Sequence, residues 1–504
     1  MERLKGYCLL SYLDLLFSAL YISCAVLLAI YGMSTVILVT LFLYHRPDRP
    51  APAPPPPDSW PSVVVQLPIY NEAHVIRRLL DSVAALDYPR DRLSIQVLDD
   101  STDHTTALIQ ACVKRYRAAG LDIHHLRRPT REGYKAGALA YGLQHSQAEI
   151  AAVFDADFAP PPDFLRQTVP HLTADSRVGV VQARWGYLND TDNLLTRAQT
   201  LSIDMYFMVE QGARSWAGLT LAFSGSAGIW RRACIDDAGG WQASTLTEDM
   251  DLSYRAQLRG WRLVFVPHVE VPSELPPQLA AYKRQQARWA KGTTQCLLAL
   301  GPQLLRARLG FFRGAMGLVH LCQYLVHPLV LLLLLVTPPL ILSGTLTKLH
   351  LSFLGVLSMA PLLAYALSQR ALYPQWPRRL LVLPALILLG AGATINNTAA
   401  VCSALFDRSN VFLRTPKFGD IAWHSSRYAL RTDRTLIGEL ALAVYAAVGA
   451  LLALRHGVAA VAPFFALYAL ASGGMALFTL LDAWRVTRWT SSKPPHRRAR
   501  ISNR

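Results

Sequence analysis

Apolar positions along the chain fall into three regimes, and each predicts a different kind of element. Residues 7–44 are almost unbroken apolar sequence. The stretch 24–44 alone is long enough to cross about 30 Å of hydrocarbon as a helix. One span is expected, with residues 7–20 extending the helix or lying at the interface; a tight two-helix hairpin is the alternative. The run is too long for a cleaved signal peptide, and no small-residue cleavage site follows it. The Pro-rich stretch 50–57 then predicts a stiff linker.

From residue 62 to about 271 the pattern changes to short β-branched runs alternating with amphipathic segments. Val63-Val64-Val65-Gln66-Leu67 predicts a strand, 72–85 a helix, and Ser94-Ile95-Gln96-Val97-Leu98 a second strand. Such βαβ alternation implies a parallel sheet covered by helices. Residues 276–312 set Arg and Lys among apolar residues at helical spacing, as in helices lying on a membrane surface. Long apolar runs return at about 316–343, 350–368, 436–454 and 458–482. A further run, 380–405, is interrupted by Thr394, Asn396, Asn397 and Thr398, which predicts a re-entrant or interfacial segment.

Composition agrees with a membrane protein carrying a sizeable soluble part. At 504 residues, the chain is 52% hydrophobic and only 17% charged, outside the range of ordinary soluble domains. Its formal charge of +16 resembles a nucleic-acid signal. The cations, however, sit beside apolar runs, at Arg46 and Arg49, Arg378 and Arg379, and from Arg485 onward. Positive-inside topology accounts for that placement, and no nucleic-acid partner is expected. With 62–312 in the cytosol, the 316 and 350 runs form a hairpin that returns Arg370, Arg378 and Arg379 there. The final hairpin returns the basic tail, and Arg408, Arg414, Lys417, Arg427, Arg431 and Arg434 stay inside. The N-terminus pulls both ways: Arg3 and Lys5 favour an inside start, whereas one span requires an outside one. The seven cysteines contain no CxxC and read as free thiols.

Candidate chemistry gathers where apolar runs end. The run Ile150-Ala151-Ala152-Val153-Phe154 delivers Asp155 and Asp157, and the carboxyl end of a central parallel strand faces the ligand crevice of open α/β sheets. Two close carboxylates repel unless a cation neutralises them, which suits Mg²⁺ or Mn²⁺. Alone, such a pair is more often a solvated turn. The first strand leads into Tyr70-Asn71-Glu72 and the second into Asp99-Asp100, which could accept hydrogen bonds from a base or from ribose hydroxyls. Helix capping is the alternative for that second pair. Gly133 and Gly137 flank Lys135, a compact cation for phosphate on a backbone able to approach a ligand. In Thr247-Glu248-Asp249 the aspartate is a candidate general base, against a helix N-terminus enriched in acids. Gln285, Arg288 and Trp289 join an amide, a guanidinium and an indole within two helical turns, suited to sugar and phosphate or, alternatively, to an interfacial belt.

In this order, Asp99-Asp100, Asp155-x-Asp157, Phe223-Ser224-Gly225-Ser226, Thr247-Glu248-Asp249 and Gln285-x-x-Arg288-Trp289 resemble the processive family 2 glycosyltransferases of the cellulose synthase superfamily. Phe412-Leu413-Arg414-Thr415-Pro416-Lys417 looks like their FxVTxK gating loop, with Arg in place of Val and Pro416 inserted before Lys417. This form is most similar to bacterial relatives of the cellulose-synthase-like A mannan and glucomannan synthases.

The resemblance implies an α/β GT-A domain with a Rossmann-like mixed sheet, fused to an α-helical transmembrane domain with interfacial helices. Its parts would be an N-terminal segment 1–48, a linker 49–61, a cytosolic catalytic domain 62–275, interfacial helices 276–312, a channel domain 313–484 with gating loop 412–417, and a basic tail 485–504. Carried over residue by residue, Tyr70, Glu72, Asp99, Asp100, Lys135, Asp155, Thr415 and Lys417 would bind the nucleotide sugar. Asp155 and Asp157 would bind the metal, and Asp249 would be the base. Glu248, Gln285, Arg288 and Trp289 would meet acceptor and diphosphate. The implied reaction is inverting, processive transfer from UDP-glucose or GDP-mannose to a growing β-linked glucan, mannan or glucomannan, secreted through the enzyme's own channel. The membrane would be a bacterial inner membrane, or the Golgi in a eukaryote. Bacterial cellulose synthases carry a C-terminal β-barrel for a cyclic dinucleotide, whereas only a short basic stretch follows Asp482, so that regulation is not expected. Two other readings are weaker: single-sugar transfer to a membrane lipid, as by ceramide glucosyltransferase, and a transporter whose soluble part senses nucleotide sugars.

Overall fold

The computed structural model describes residues 2–45, 54–407, 410–430 and 434–491. Arg46, linker residues 49–53, Arg408, Arg431 and tail residues 492–504 lie outside that set. The first apolar run is a single helix, α1 (Glu2–His45), rather than a hairpin.

The lobe that follows contains α2 (Ile76–Ala84), α3 (Thr105–Ala118), α4 (Tyr134–Gln144), α5 (Phe164–Ala174), α6 (Leu194–Met205), α7 (Gly212–Trp216), α8 (Arg232–Asp237) and α9 (Glu248–Leu258). Its strands are β1 (Val63–Ile69), β2 (Leu93–Asp99), β3 (Ile123–Leu126), β4 (Ile150–Val153), β5 (Val178–Tyr187), β6 (Gly228–Arg231) and β7 (Arg262–Ser273). They form one sheet in the order β3-β2-β1-β4-β6-β5-β7. β1 pairs in parallel with both β2 and β4, while β6 runs antiparallel to β4 and β5. The sheet is therefore mixed rather than wholly parallel. Successive valines of β1 explain why the run looked unbroken: Val63 and Val65 pack into the core on one face, Val64 into the core on the other. A strand buried on both sides loses its polar alternation.

The order of strands decides where a ligand can sit. From β1 the chain moves outward through β2 and β3, then returns to β4 on the other side of β1. The loops leaving β1 and β4 diverge at this switch point and open a crevice beyond the strands' carboxyl ends.

Beyond the lobe, α10 (Leu279–Arg306) is one 28-residue helix where several interfacial helices were expected. It is followed by α11 (Phe311–Leu321), α12 (Val326–Leu342), α13 (Ala360–Leu372), α14 (Trp376–Arg379), α15 (Leu383–Gly392), α16 (Thr394–Phe406), α17 (Leu436–Arg455) and α18 (Ala462–Ser491). Among the described residues, Tyr12–His45, Gln323–Leu342, Leu436–Arg455 and Ala459–Arg488 are long and apolar enough to cross a membrane. The 350–368 run does not make a span of this kind: a 3-10 stretch, Ser352–Met359, leads into the 13 residues of α13. Trp376–Gly392 and Thr394–Phe406 meet at a 41° bend, where Thr394 interrupts the 380–405 run.

Two buried polar junctions hold the elements together, the first between lobe and helices and the second between two helices beyond the lobe. Arg379 donates to Thr200 and Gln369, and Gln369 donates in turn to buried Asp204 of α6. Lys283 of α10 and Glu439 of α17 form an ion pair with side chains only 2% and 0% exposed. The six cysteines whose side chains are described are free thiols.

Candidate active site

Thirteen of the fourteen candidate residues line one cleft at the switch point: Tyr70, Glu72, Asp100, Lys135, Asp155, Asp157, Glu248, Asp249, Gln285, Arg288, Trp289, Thr415 and Lys417. Asp99 does not. Its side chain is fully buried, and it accepts hydrogen bonds from His125 (2.9 Å), Thr106 (2.8 Å) and the Ser101 amide (2.8 Å). Burial alone would raise its pKa, but these donors outweigh it and hold the carboxyl below its usual value. Asp99 thus braces β2 against β3. Asp100 reaches the cleft gripped by both prongs of Arg128, at 2.8 and 2.6 Å.

Asp249 sits in the first turn of α9 at the cleft floor, and its oxygen accepts the Met250 amide at 2.8 Å. Burial, then the neighbouring Glu248 charge, push its pKa up to about 7 against the pull of Lys135 and Arg288. Gly225 lets this group and Lys135 come close, because a Cβ there would stand 2.7 Å from Asp249 Oδ2 and 3.4 Å from Lys135 Nζ. Its φ of +80° also belongs to glycine. Gly292 does the same for the helices: a Cβ would strike the Thr247 side chain at 2.5 Å, so α10 lies tightly against the start of α9.

Lys135 spans the acids. Its ammonium lies 2.6 Å from Asp155 and 3.6 Å from Glu248, and it donates to the Gly225 carbonyl at 2.8 Å. Burial opposes its charge, yet the surrounding carboxylates keep its pKa above the ordinary lysine value. The glycines beside it serve the protein's own packing. A Cβ at Gly137 would meet the Glu132 carbonyl at 2.2 Å, and Gly133 adopts φ +68° just ahead of α4.

The stretch 412–419 covers the cleft and sets cations against two of its acids, Asp157 and Glu72. Lys417 lies 2.6 Å from Asp157 and donates to the Glu274 carbonyl at 3.0 Å. Arg414 pairs with Glu72 at 2.7 Å. Burial nevertheless raises the Glu72 pKa to about 8. Phe412 stacks on Tyr134 and lies under the Arg288 guanidinium at 4.6 Å. The Thr415 hydroxyl is buried with no hydrogen-bond partner among the described residues.

Several supporting residues gave no motif signal. Glu274 accepts the Phe418 and Gly419 amides, fixing the end of the loop. Arg131 stacks 3.4 Å above the Tyr70 ring. Buried Gln182 accepts the Ser224 amide and donates to the Ser226 and Ala227 carbonyls, which shapes the glycine turn, and Ser226 Oγ accepts the Asp155 amide. A glutamine inside the apolar β5 run was the available clue to this turn. Strained backbone gathers in the same loops, with Asn71, Tyr134 and Ala227 all at positive φ.

A switch-point crevice holding paired carboxylates, a buried lysine and a high-pKa aspartate is the arrangement of a GT-A glycosyltransferase. Residues 61–292 match the model described as Glycosyltransferase like family 2, so this part of the chain is similar to the family 2 glycosyltransferases. The chain is 40% identical over 286 residues to glucomannan 4-beta-mannosyltransferase 1 of Oryza sativa subsp. japonica, covering 54% of this chain and 55% of the relative. It is also 40% identical over 288 residues to glucomannan 4-beta-mannosyltransferase 2 of Arabidopsis thaliana, covering 55% and 54%. The chain thus spans about half the length of the curated relatives it matches. In fold it is similar to a mannosyltransferase from Pyrobaculum calidifontis solved with GDP-Man and Mn2+, with a TM-score of 0.50 and 22% identity over 79% of this chain and 100% of that one.

Proposed function

We propose that this protein is an inverting hexosyltransferase that extends a β-1,4-linked mannan or glucomannan from GDP-mannose. The observation that carries the reading is the Asp249 carboxyl, held near neutrality at the floor of a cleft whose other walls bear Asp155, Asp157, Lys135 and the Gln285-Arg288-Trp289 face. Relatives named for 4-β-mannosyl transfer support mannose over glucose, and UDP-glucose is the second donor to test.

Asp249 takes the proton of the acceptor hydroxyl as that oxygen attacks the anomeric carbon in line with the departing diphosphate. One displacement inverts the anomeric centre, so an α-linked donor gives a β-linkage. Transfer needs the carboxylate form, which a pKa near 7 keeps available while leaving it basic enough to accept a proton. Trp289 offers an indole face to a sugar ring, and Arg288 and Lys135 offer cations to the diphosphate. Asp155 and Asp157 suit Mg²⁺ or Mn²⁺ as hard oxygen donors. Among the described residues no third carboxylate, His or Cys completes a site, so further ligands must come from donor phosphates and water. A divalent cation bound there would neutralise charge on the leaving group. The lobe would face the cytosol of a bacterial inner membrane, with the apolar helices passing product across the bilayer.

The test is transfer by protein in lipid nanodiscs from radiolabelled GDP-mannose and UDP-glucose. An ethanol-insoluble product cleaved by β-mannanase is expected, and Asp249→Asn should abolish it while donor binding survives. A chloroform-soluble product, or synthesis by the variant, would overturn the reading.

A further inference from the structure

A second cleft lies on the flank of α10, separate from the candidate active site and touching it only through Arg288 and Leu246. It lies between one stripe of α10 and one stripe of α16, open to solvent, with Val411, Leu413 and Leu430 along its side. Lys283, Arg284, Arg288 and Lys291 recur at helical spacing along the α10 stripe, and Arg434 approaches from the start of α17. Opposite them α16 presents Asn396 and Ser403. Among the described residues no carboxylate lines the cleft.

Charge balance distinguishes this cleft from a surface helix with solvated lysines. Lys283 and Lys291 are paired, with Glu439 and with Asp407 at 3.2 Å. Arg284, Arg288 and Arg434 have no acidic partner among the described residues, and the Arg288 Nε is buried without a hydrogen-bond acceptor. Burial and the nearby Arg414 guanidinium both push the Arg284 pKa down, as expected for a cation lacking its counter-charge. Arg284 and Arg288 are half-buried while Arg434 is exposed at the mouth; half-buried guanidiniums without acceptors are costly unless an anion completes them, and planar five-donor groups match phosphate oxygens. Alanines 280, 287, 399 and 400 and the three aliphatic side chains leave apolar wall beside the cations.

From this geometry we infer that the slot between α10 and α16 is a binding site for a phosphate-bearing anion, recognised by Arg284 and Arg434 with Lys291 and Ser403 at its rim. Two sources carry that chemistry: the headgroup of an anionic phospholipid and a free diphosphate. Because Arg288 lies under the same roof as Phe412, an occupant of the slot also steadies the stretch that covers the active-site cleft. The lipid source rests on the reading that the apolar helices cross a bilayer; the free-diphosphate source does not.

The experiment compares the full chain with the double variant Arg284→Gln/Arg434→Gln, using two probes. In nanodiscs of mixed phosphatidylglycerol and phosphatidylcholine, native mass spectrometry reads which lipid stays bound on release. In detergent, calorimetry reads the number and affinity of inorganic pyrophosphate sites. Wild-type protein is expected to retain phosphatidylglycerol selectively, or to bind a second pyrophosphate beyond the active-site one. The double variant should lose that species, with affinity down at least about tenfold for each charged hydrogen-bonding group removed. The charge-conserving pair Arg284→Lys/Arg434→Lys should keep it, which excludes misfolding as the cause. Loss of lipid alone assigns the headgroup, and loss of pyrophosphate alone assigns the free anion. If the Gln variant keeps both as wild type does, the site does not exist. Mannosyl transfer is not read in either arm, so the outcome is independent of the catalytic assignment.

Discussion

Lys135→Gln tests the electrostatics of the cleft most directly, because the expected response is a shift rather than a loss. Asp249 stands at about 7, raised by burial and by Glu248 and held down chiefly by Lys135. A carboxylate base works only when ionised. At pH 6 about one-tenth of the enzyme would be active, and below that kcat/KM should fall about tenfold per pH unit. Above pH 8 it should level off.

Removing the lysine leaves three acids, Asp155, Glu248 and Asp249, without their shared cation. A Cβ at Gly225 would stand 2.7 Å from Asp249 Oδ2 and 3.4 Å from Lys135 Nζ, so the two lie within about 6 Å, and a unit charge at that range and an effective dielectric of about 20 is worth about 3 kcal/mol, or about two pKa units. Relaxation and water entry reduce this, so the inflection should move upward by about one to two units. The direction is fixed: loss of a cation disfavours the carboxylate, and the profile moves alkaline. The assay is initial-rate incorporation from radiolabelled GDP-mannose between pH 5 and 9, normalised to each variant's plateau so that weaker donor binding does not enter. An inflection that stays put or moves acid would refute the arrangement of charges, and a flat wild-type profile would refute Asp249 as the base.

Gly225→Ala adds a Cβ 2.7 Å from Asp249 Oδ2 on a backbone at φ +80°, and a displaced base should cost about a hundredfold in kcat; a near-normal rate would mean that the turn is not part of the site. Asp249 also couples to stability. A carboxyl whose pKa is raised on folding stabilises the fold fully below about 3.8 and loses that contribution as pH rises through about 7. The melting temperature of Asp249→Asn should therefore decline less between pH 5 and 8 than that of wild type. Lys283→Met strips the buried Glu439 of its ammonium and should cost about 3–5 kcal/mol, recovered in large part by Lys283→Met/Glu439→Leu; thermal denaturation in nanodiscs reads both. Chelation with EDTA should stop transfer, and added Mn²⁺ or Mg²⁺ should restore it.

How much of this could be read from the residues depended on whether a group's partner lies nearby in the chain. Strand ends were legible, because an apolar run that stops in Asp155 or Tyr70 has a defined direction and a crevice to face. Asp99 shows the limit of that reasoning. The residues alone suggested that Asp99 and Asp100 both face the crevice, yet consecutive residues at a strand end point to opposite sides, and only Asp100 lines the cleft. Which one was settled by His125 and Thr106, whose positions depend on β3 and α3 packing beside β2. Gln182, Arg131 and Glu274 carried no motif, since each acts on backbone or on a ring brought in from elsewhere.

The largest effect invisible in the sequence is that both metal-type carboxylates are already neutralised. Asp155 holds Lys135 from α4, and Asp157 holds Lys417 from a loop 260 residues further along the chain. Each lysine is also a cation that a donor's diphosphate would attract. Donor and metal together can therefore exchange partners with the lysines at little electrostatic cost, cation for cation at the carboxylates and phosphate for carboxylate at the lysines. Either one alone would leave a buried charge uncompensated in the cleft. The covering stretch is accordingly pinned from below by Asp157, one of the two acids proposed to hold the metal, and by Glu72. Opening it, loading donor and seating the cation should behave as one linked event.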